Sequence, residues 1–257
     1  MFDSKLPWEL SHHRYAIVGM PRSGTQLFES FIKYSLSKKD PAAVDLQEIF
    51  TAHNPLTHTL TVKDGLVKTS EGSSIPFWTA KKVSLDNLEA IRNANQDQPF
   101  TCRIFLHNNN SNYNITESLK YAQDLNFKFI YINRSFEHMM LSLAFATESF
   151  IWNKAKNTNK INIDTYQLKT MMASAYMYMT INKRLLDSLV SYDTVSYESI
   201  VDAASNLSEE ERIKAFGVFA EKQLPLDPYE QILNVDEVKD VFANFYPKMQ
   251  NLVENLF

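Results

Sequence analysis

Cysteine is almost missing from this chain. Cys102 is the single one among 257 residues, which excludes an internal disulfide framework and any cysteine-based metal cluster. It lies in an apolar strand pattern, where a buried inert thiol is expected rather than a nucleophile. Glycine is scarce too, with five residues where average usage gives about 18, so the placement of each carries information. Positive charge is in no excess: 26 Lys and Arg stand against 30 Asp and Glu, with a net charge of −4 and a pI near 5.9. No global basic field exists to recruit nucleic acid or an anionic membrane, and neither is expected as a partner. Any anionic ligand must be held by local positive charge. No apolar run approaches the roughly 18 residues of a transmembrane helix, and Met1-Phe-Asp-Ser-Lys-Leu-Pro-Trp8 lacks the apolar stretch of a secretory signal. A cytoplasmic enzyme-sized protein is the expectation.

What is present is concentrated near the start. Two of the five glycines bracket one turn in Tyr15-Ala-Ile-Val-Gly-Met-Pro-Arg-Ser-Gly-Thr-Gln-Leu-Phe28. An apolar strand (Tyr15 to Val18) runs into Gly19 to Gly24, and a helical pattern follows with Leu27, Phe28, Phe31 and Ile32 on one face. Strand, glycine-bracketed loop and helix together point backbone N–H groups and a helix N-terminus at a phosphate-like anion. The plainer alternative is a turn that only reverses the chain.

Further along, Lys38-Lys39-Asp40-Pro41 stops the first helix, and residues 42 to 58 read as irregular. Asp64-Gly65 between alternating residues predicts a hairpin over Thr59 to Thr69. A helix is expected near Ser84 to Asn95, then a strand from Phe100 to Leu106 ending at His107. Asn114-Ile-Thr-Glu117 resembles a capping box. Phe127 to Asn133 reads as a buried strand that runs into Arg134 and a helix to about Phe150. Residues 165 to 190 form a long helix whose Met171, Met172, Tyr176 and Met179 make a core stripe. Thr194 to Tyr197 reads as the last strand, Ser208-Glu-Glu-Glu211 caps another helix, and Val235 to Phe257 is helical throughout. Alternating strands and helices argue an α/β fold with a parallel sheet covered on both faces, in a single domain over residues 1–257.

Gly19 to Gly24 has the G-x-x-x-x-G spacing of a Walker A loop, but Thr25 and Gln26 stand where a nucleotide triphosphatase has Lys and Ser or Thr. The strand ending at Asn133 also lacks the terminal aspartate that helps hold magnesium. Arg22 stands inside the loop as a permanent cation instead. Pro21-Arg22-Ser23-Gly24-Thr25 resembles the 5′-phosphosulfate loop of the sulfotransferases that use 3′-phosphoadenosine-5′-phosphosulfate. Tyr131-Ile-Asn-Arg134-Ser-Phe-Glu-His-Met-Met-Leu-Ser142 is similar to the 3′-phosphate segment of that family, where a strand ends in Arg and a Ser follows eight residues later. Val195-Ser-Tyr-Glu-Ser-Ile200 is a weaker third match. The departures are Gln26 for a second Thr, Ser135-Phe136 for the usual Asp-Pro, and no evident late Arg-Lys-Gly segment.

The resemblance implies a three-layer P-loop-like fold, with a central mostly parallel sheet flanked by helices and a helical C-terminal part. It implies sulfuryl transfer from 3′-phosphoadenosine-5′-phosphosulfate, as cosubstrate, to a hydroxyl or amine of a small-molecule or glycan acceptor, with no metal. Pro21, Arg22, Ser23, Gly24, Thr25 and Gln26 would form the 5′-phosphosulfate cradle, with Arg22 meeting the charge that grows on the leaving oxygen. Arg134 and Ser142 would meet the 3′-phosphate. Ser142 lies about 12 Å along an ideal helix from Arg134, so the arginine must reach forward for both to meet one group. The acceptor needs a base, and two residues stand at positions the family uses: Glu48, in Pro41-Ala-Ala-Val-Asp-Leu-Gln-Glu48-Ile-Phe50, and His107 at a strand end. His12, His13, His53, His58 and His138 carry no motif, although His53 and His58 lie close enough to Glu48 to line an acceptor site. A nucleotide kinase or related P-loop phosphotransferase, and a non-catalytic nucleotide-binding module, are the alternatives.

Overall fold

A computed structural model describes residues 10–41, 43–45, 61–63, 66–68, 74–75, 99–106, 115–149, 160–216 and 228–256. Its elements in chain order are β1 (Arg14–Gly19), α1 (Thr25–Ser37), β2 (Val44–Asp45), β3 (Thr61–Lys63), β4 (Leu66–Lys68), β5 (Ser74–Ile75) and β6 (Phe100–Phe105). There follow α2 (Ile115–Asp124), β7 (Lys128–Asn133), α3 (Phe136–Ser149), α4 (Thr165–Leu189), β8 (Tyr192–Ser196), α5 (Tyr197–Ser205) and α6 (Glu209–Phe216). The chain closes with α7 (Val235–Asp240), a π-helical turn over Val241–Phe245 and α8 (Tyr246–Leu256).

The main sheet has five strands in the order β2-β6-β1-β7-β8, and every pairing in it is parallel. β1 is central and buried at every residue. A strand covered on both faces has no polar side, which is why Tyr15 to Val18 reads as a continuous apolar run. Its alternation divides the interior. Tyr15 and Ile17 join Phe28, Phe31 and Ile32 of α1 and Phe216 of α6 in one core, where the Phe31 and Phe216 rings stack at 5.6 Å. Ala16 and Val18 face the opposite core, shared with α2, α3, α4 and the C-terminal helices. Met172 and Tyr176 lie buried there, as the stripe on the long helix predicts.

Three differences from the sequence reading have physical causes. Val44–Asp45, inside the stretch read as irregular, pairs with Phe100 and Thr101 as a two-residue edge strand, too short to show a period. β8 starts at Tyr192 rather than Thr194, because Tyr192 and Asp193 pair with Phe129 and Ile130. As an edge strand it keeps exposed polar residues, and Asp193 meets Lys128 at 2.7 Å, so it lacks an apolar signature. The last helix is interrupted by the π-turn, which seats Tyr246 flat against Phe136 at 5.1 Å, with Tyr176 edge-on to both. In the small second sheet, β3 and β4 are antiparallel with Lys63 opposite Leu66, the pairing expected of a two-residue loop. Residues 64–65, the helix expected near 84–95 and Asn114 lie outside the described residues.

One buried ion pair fixes α1 on the sheet. Glu29 of α1 meets Arg103 of β6 at 2.8 Å, with both side chains almost fully buried. A lone buried charge is far costlier than a buried pair. Arg103→Leu alone is therefore expected to destabilise the fold by about 3–5 kcal/mol, and the Glu29→Leu/Arg103→Leu double variant by less than either single change, as urea unfolding would read. At the C-terminus, hydrogen bonds from Gln250 and Tyr176 hold the Glu254 carboxyl below its ordinary value of 4.5. A depressed folded value means stability that is present above 4.5 and is lost as pH falls through the lower folded value. Wild type should exceed Glu254→Gln in urea stability at pH 7, and the difference should vanish in acid.

Candidate functional site

The turn after β1 is built by close contact. Ser23 N–H donates to the Met20 carbonyl at 3.1 Å, which folds the loop back on itself. A Cβ on Gly19 would lie 2.6 Å from Ser23 Oγ and 2.9 Å from Thr25 Cγ2, so the first bracket of the loop has no room for a side chain. Gly24 caps α1 at φ 95°, a left-handed conformation that glycine adopts without penalty. A Cβ there would lie 2.5 Å from the Tyr197 ring. Among the described residues no side chain caps the α1 N-terminus, and its first turn carries no acid. The first amides of α1 and their fractional positive charge therefore stay available to an anion. Ser23 Oγ is buried and has no hydrogen-bond partner among the described residues.

Arg22 sits in the same loop at φ 68°, a conformation that costs a side-chain-bearing residue about 1–2 kcal/mol. Contacts from elsewhere hold it there. Arg134, immediately after β7, donates from Nη1 to the Arg22 carbonyl at 2.6 Å. Arg22 Nε donates to Ser142 Oγ of α3 at 3.1 Å. The sequence reading has Arg134 reach forward so that it and Ser142 can meet one group; in the structure Arg22 Nε lies on the Ser142 hydroxyl. The Arg134 guanidinium lies 4.0 Å over the centre of the Tyr197 ring. Tyr197 follows from the register: Asn133 pairs with Ser196, so the next residue on each strand, Arg134 and Tyr197, leave the sheet side by side. Sequence reading quoted Tyr197 only within a weak motif, because a ring that serves as a platform has no spacing rule of its own.

The electrostatics follow from burial and crowding. Burial pushes the Arg22 value down, and the positive charge of Arg134 adds to it while Tyr197 opposes. Arg134 is lowered by burial, against the opposing influence of Tyr197 and Glu198. An arginine remains protonated regardless, so the result is two permanent cations side by side beside a helix N-terminus. Pro21 and Gln26 are half-buried and Thr25 is buried. The two candidate bases, Glu48 and His107, lie outside the described residues, as do His53 and His58. Leu106, which precedes His107, donates its N–H to the Gly19 carbonyl at 2.9 Å, and its own carbonyl accepts from Asn182 of α4. The end of β6 is thereby tied to the start of the loop.

The site occupies the carboxyl edge of the sheet, beyond β1. From β1 the chain first moves to the β6 side and later crosses to the β7 side, and such a switch point is where open α/β sheets hold ligands. Among the described residues, no group of His, Cys, Asp and Glu is arranged to hold a metal ion, and no helix is long and apolar enough to cross a membrane. A shallow depression at the opposite edge, around His12, Lys128 and Asp193, shares none of these residues. No family model matches the chain, and neither does any curated protein. Gly24→Ala is expected to lower stability by at least about 1–2 kcal/mol from the positive φ alone, with a further loss from the Tyr197 ring. Measured in a Tyr197→Ala background, the same change should cost only the φ part, as thermal unfolding would read.

Proposed function

We propose that this chain is a sulfotransferase that moves a sulfuryl group from 3′-phosphoadenosine-5′-phosphosulfate to a hydroxyl or amine of a small-molecule or glycan acceptor. The observation that carries the reading is the convergence of Arg22, Arg134, Ser142 and the free α1 amides at one sheet edge. Two cations and two sets of neutral donors suit a ligand with two anionic groups better than one with a single phosphate. The position of β1 between β6 and β7, with the loop and α1 directly after it, supports a P-loop-like form of the α/β fold. Against a phosphotransferase stands Thr25, small and buried, where a lysine would have to reach the terminal phosphates.

In this reading the acceptor oxygen or nitrogen attacks sulfur, and the bond from sulfur to the bridging oxygen breaks. The electron pair leaves on the 5′-phosphate, while the acceptor proton passes to a base, for which Glu48 and His107 are the candidates. Arg22 and the loop amides meet the charge that develops on the leaving oxygen, the kind of stabilisation worth on the order of 10²–10³ in rate per donor. Ser23, Thr25 and the first amides of α1 hold the 5′-phosphate. Arg134 and Ser142 take the 3′-phosphate.

Adenosine 3′,5′-bisphosphate is expected to raise the melting temperature, whereas ATP with magnesium does not. Arg22→Ala should reduce transfer from labelled donor by on the order of 10²–10³ with an unchanged circular dichroism spectrum. A rise with ATP–magnesium and none with the bisphosphate would favour a phosphotransferase. Tight bisphosphate binding with no transfer to any acceptor would leave a binding module.

A further inference from the structure

Tyr197 makes two contacts that no catalytic assignment above uses. Its ring carries the Arg134 guanidinium at 4.0 Å, and it abuts Gly24 so closely that a Cβ there would overlap it. It is 8% exposed, and among the described residues its hydroxyl takes part in no hydrogen bond. The ring is fixed in turn by its own element. It is the first residue of α5, whose N-cap Ser196 accepts from Ser199 N–H at 3.1 Å. A planar cation lying on a buried ring loses its freedom to tilt, and the ring quadrupole attracts a half-buried guanidinium on such a face. With Nη1 donating to the Arg22 carbonyl, the arginine can then offer its other terminal nitrogen in one direction only.

We infer that Tyr197 is a positioning residue: its ring, not its hydroxyl, holds Arg134 at a set height above the phosphate loop, and so sets the recognition of the second anionic group of the ligand. This rests on the reading that Arg134 meets a 3′-phosphate. The ring reaches both the loop and the arginine, so it fixes the separation of the two anion sites. A ligand with one phosphate uses the loop alone and is indifferent to that separation. A ligand with two phosphates depends on it.

The test compares the affinities of adenosine 3′,5′-bisphosphate and adenosine 5′-monophosphate by calorimetry, in wild type, Tyr197→Phe, Tyr197→Leu and Tyr197→Met. The quantity read is the preference for the bisphosphate. Tyr197→Phe should keep that preference within about twofold, and the two ringless variants should lose about tenfold of it, the size of one desolvated cation–π contact. Monophosphate affinity should stay near wild type in every variant that melts cooperatively, and having two ringless variants guards against one that fails to fold. A loss in Tyr197→Phe equal to that in Tyr197→Leu would assign the role to the hydroxyl and overturn the inference. So would equal weakening of both nucleotides, the mark of a merely structural residue, or a preference that survives removal of the ring. A wild-type protein without any preference for the bisphosphate would sink the underlying reading as well, so the two failures are told apart.

Discussion

Three distant stretches of chain, around residues 22–24, 134–142 and 197, meet because β1, β7 and β8 run parallel, side by side, and end at one edge. The side-chain period of a strand is two, so a slip of one residue would send every inward group to the wrong face. The two cores forbid that slip. Ile17 with Ile130 and Val195 must stay on the α1 side, while Val18 with Phe129 and Tyr131 must stay on the other. Packing deep in the sheet thus decides which residues emerge together at its rim. Hydrophobic register brings Arg134 beside Tyr197, and the attraction of ring for guanidinium then acts on groups that are already neighbours.

That division explains what the sequence could disclose. Central strands announce themselves, since β1, β6 and β7 are largely buried and their apolar residues outnumber the few polar ones, such as Thr101 and Arg103 in β6 and the terminal Lys128 and Asn133 of β7. Edge strands do not: β2 is too short, and β8 leaves both Asp193 and Thr194 exposed, one on each face. Turn chemistry was equally legible, because Gly19 and Gly24 are needed for reasons of space and φ that leave a mark on composition. Arg134 and Ser142 were visible as a spaced pair. Their partners were not, since the bond from Arg22 to Ser142 and the stacking of Arg134 on Tyr197 join residues that only the folded sheet brings near. The buried pair of Glu29 and Arg103 was hidden for the same reason, each residue reading alone as an ordinary charged position.

The site itself is a place where local rules are broken. A side-chain-bearing residue in left-handed conformation, two crowded guanidinium groups and a buried hydroxyl without a partner among the described residues all raise the energy of this corner. Their concentration at one sheet edge is what the proposed function needs, since groups that must meet charge in a ligand cannot also be relaxed by their neighbours. Binding of an anion would relieve the mutual repulsion of the arginines. Ligand affinity and conformational stability are therefore linked here.

The wide turn at Val241–Phe245 has an effect beyond its own helix. A π-turn holds one more residue than an α-turn, so everything after it is rotated by one residue's worth of arc, and that rotation brings Tyr246 onto Phe136. Phe136 opens the helix that carries Ser142 and stands two positions after Arg134. Helix α8 thus reaches the start of the helix that carries Ser142 through three aromatic rings. A single-residue deletion in that bulge would keep the terminal segment helical, yet swing Tyr246 away from Phe136 and leave the start of α3 unbraced.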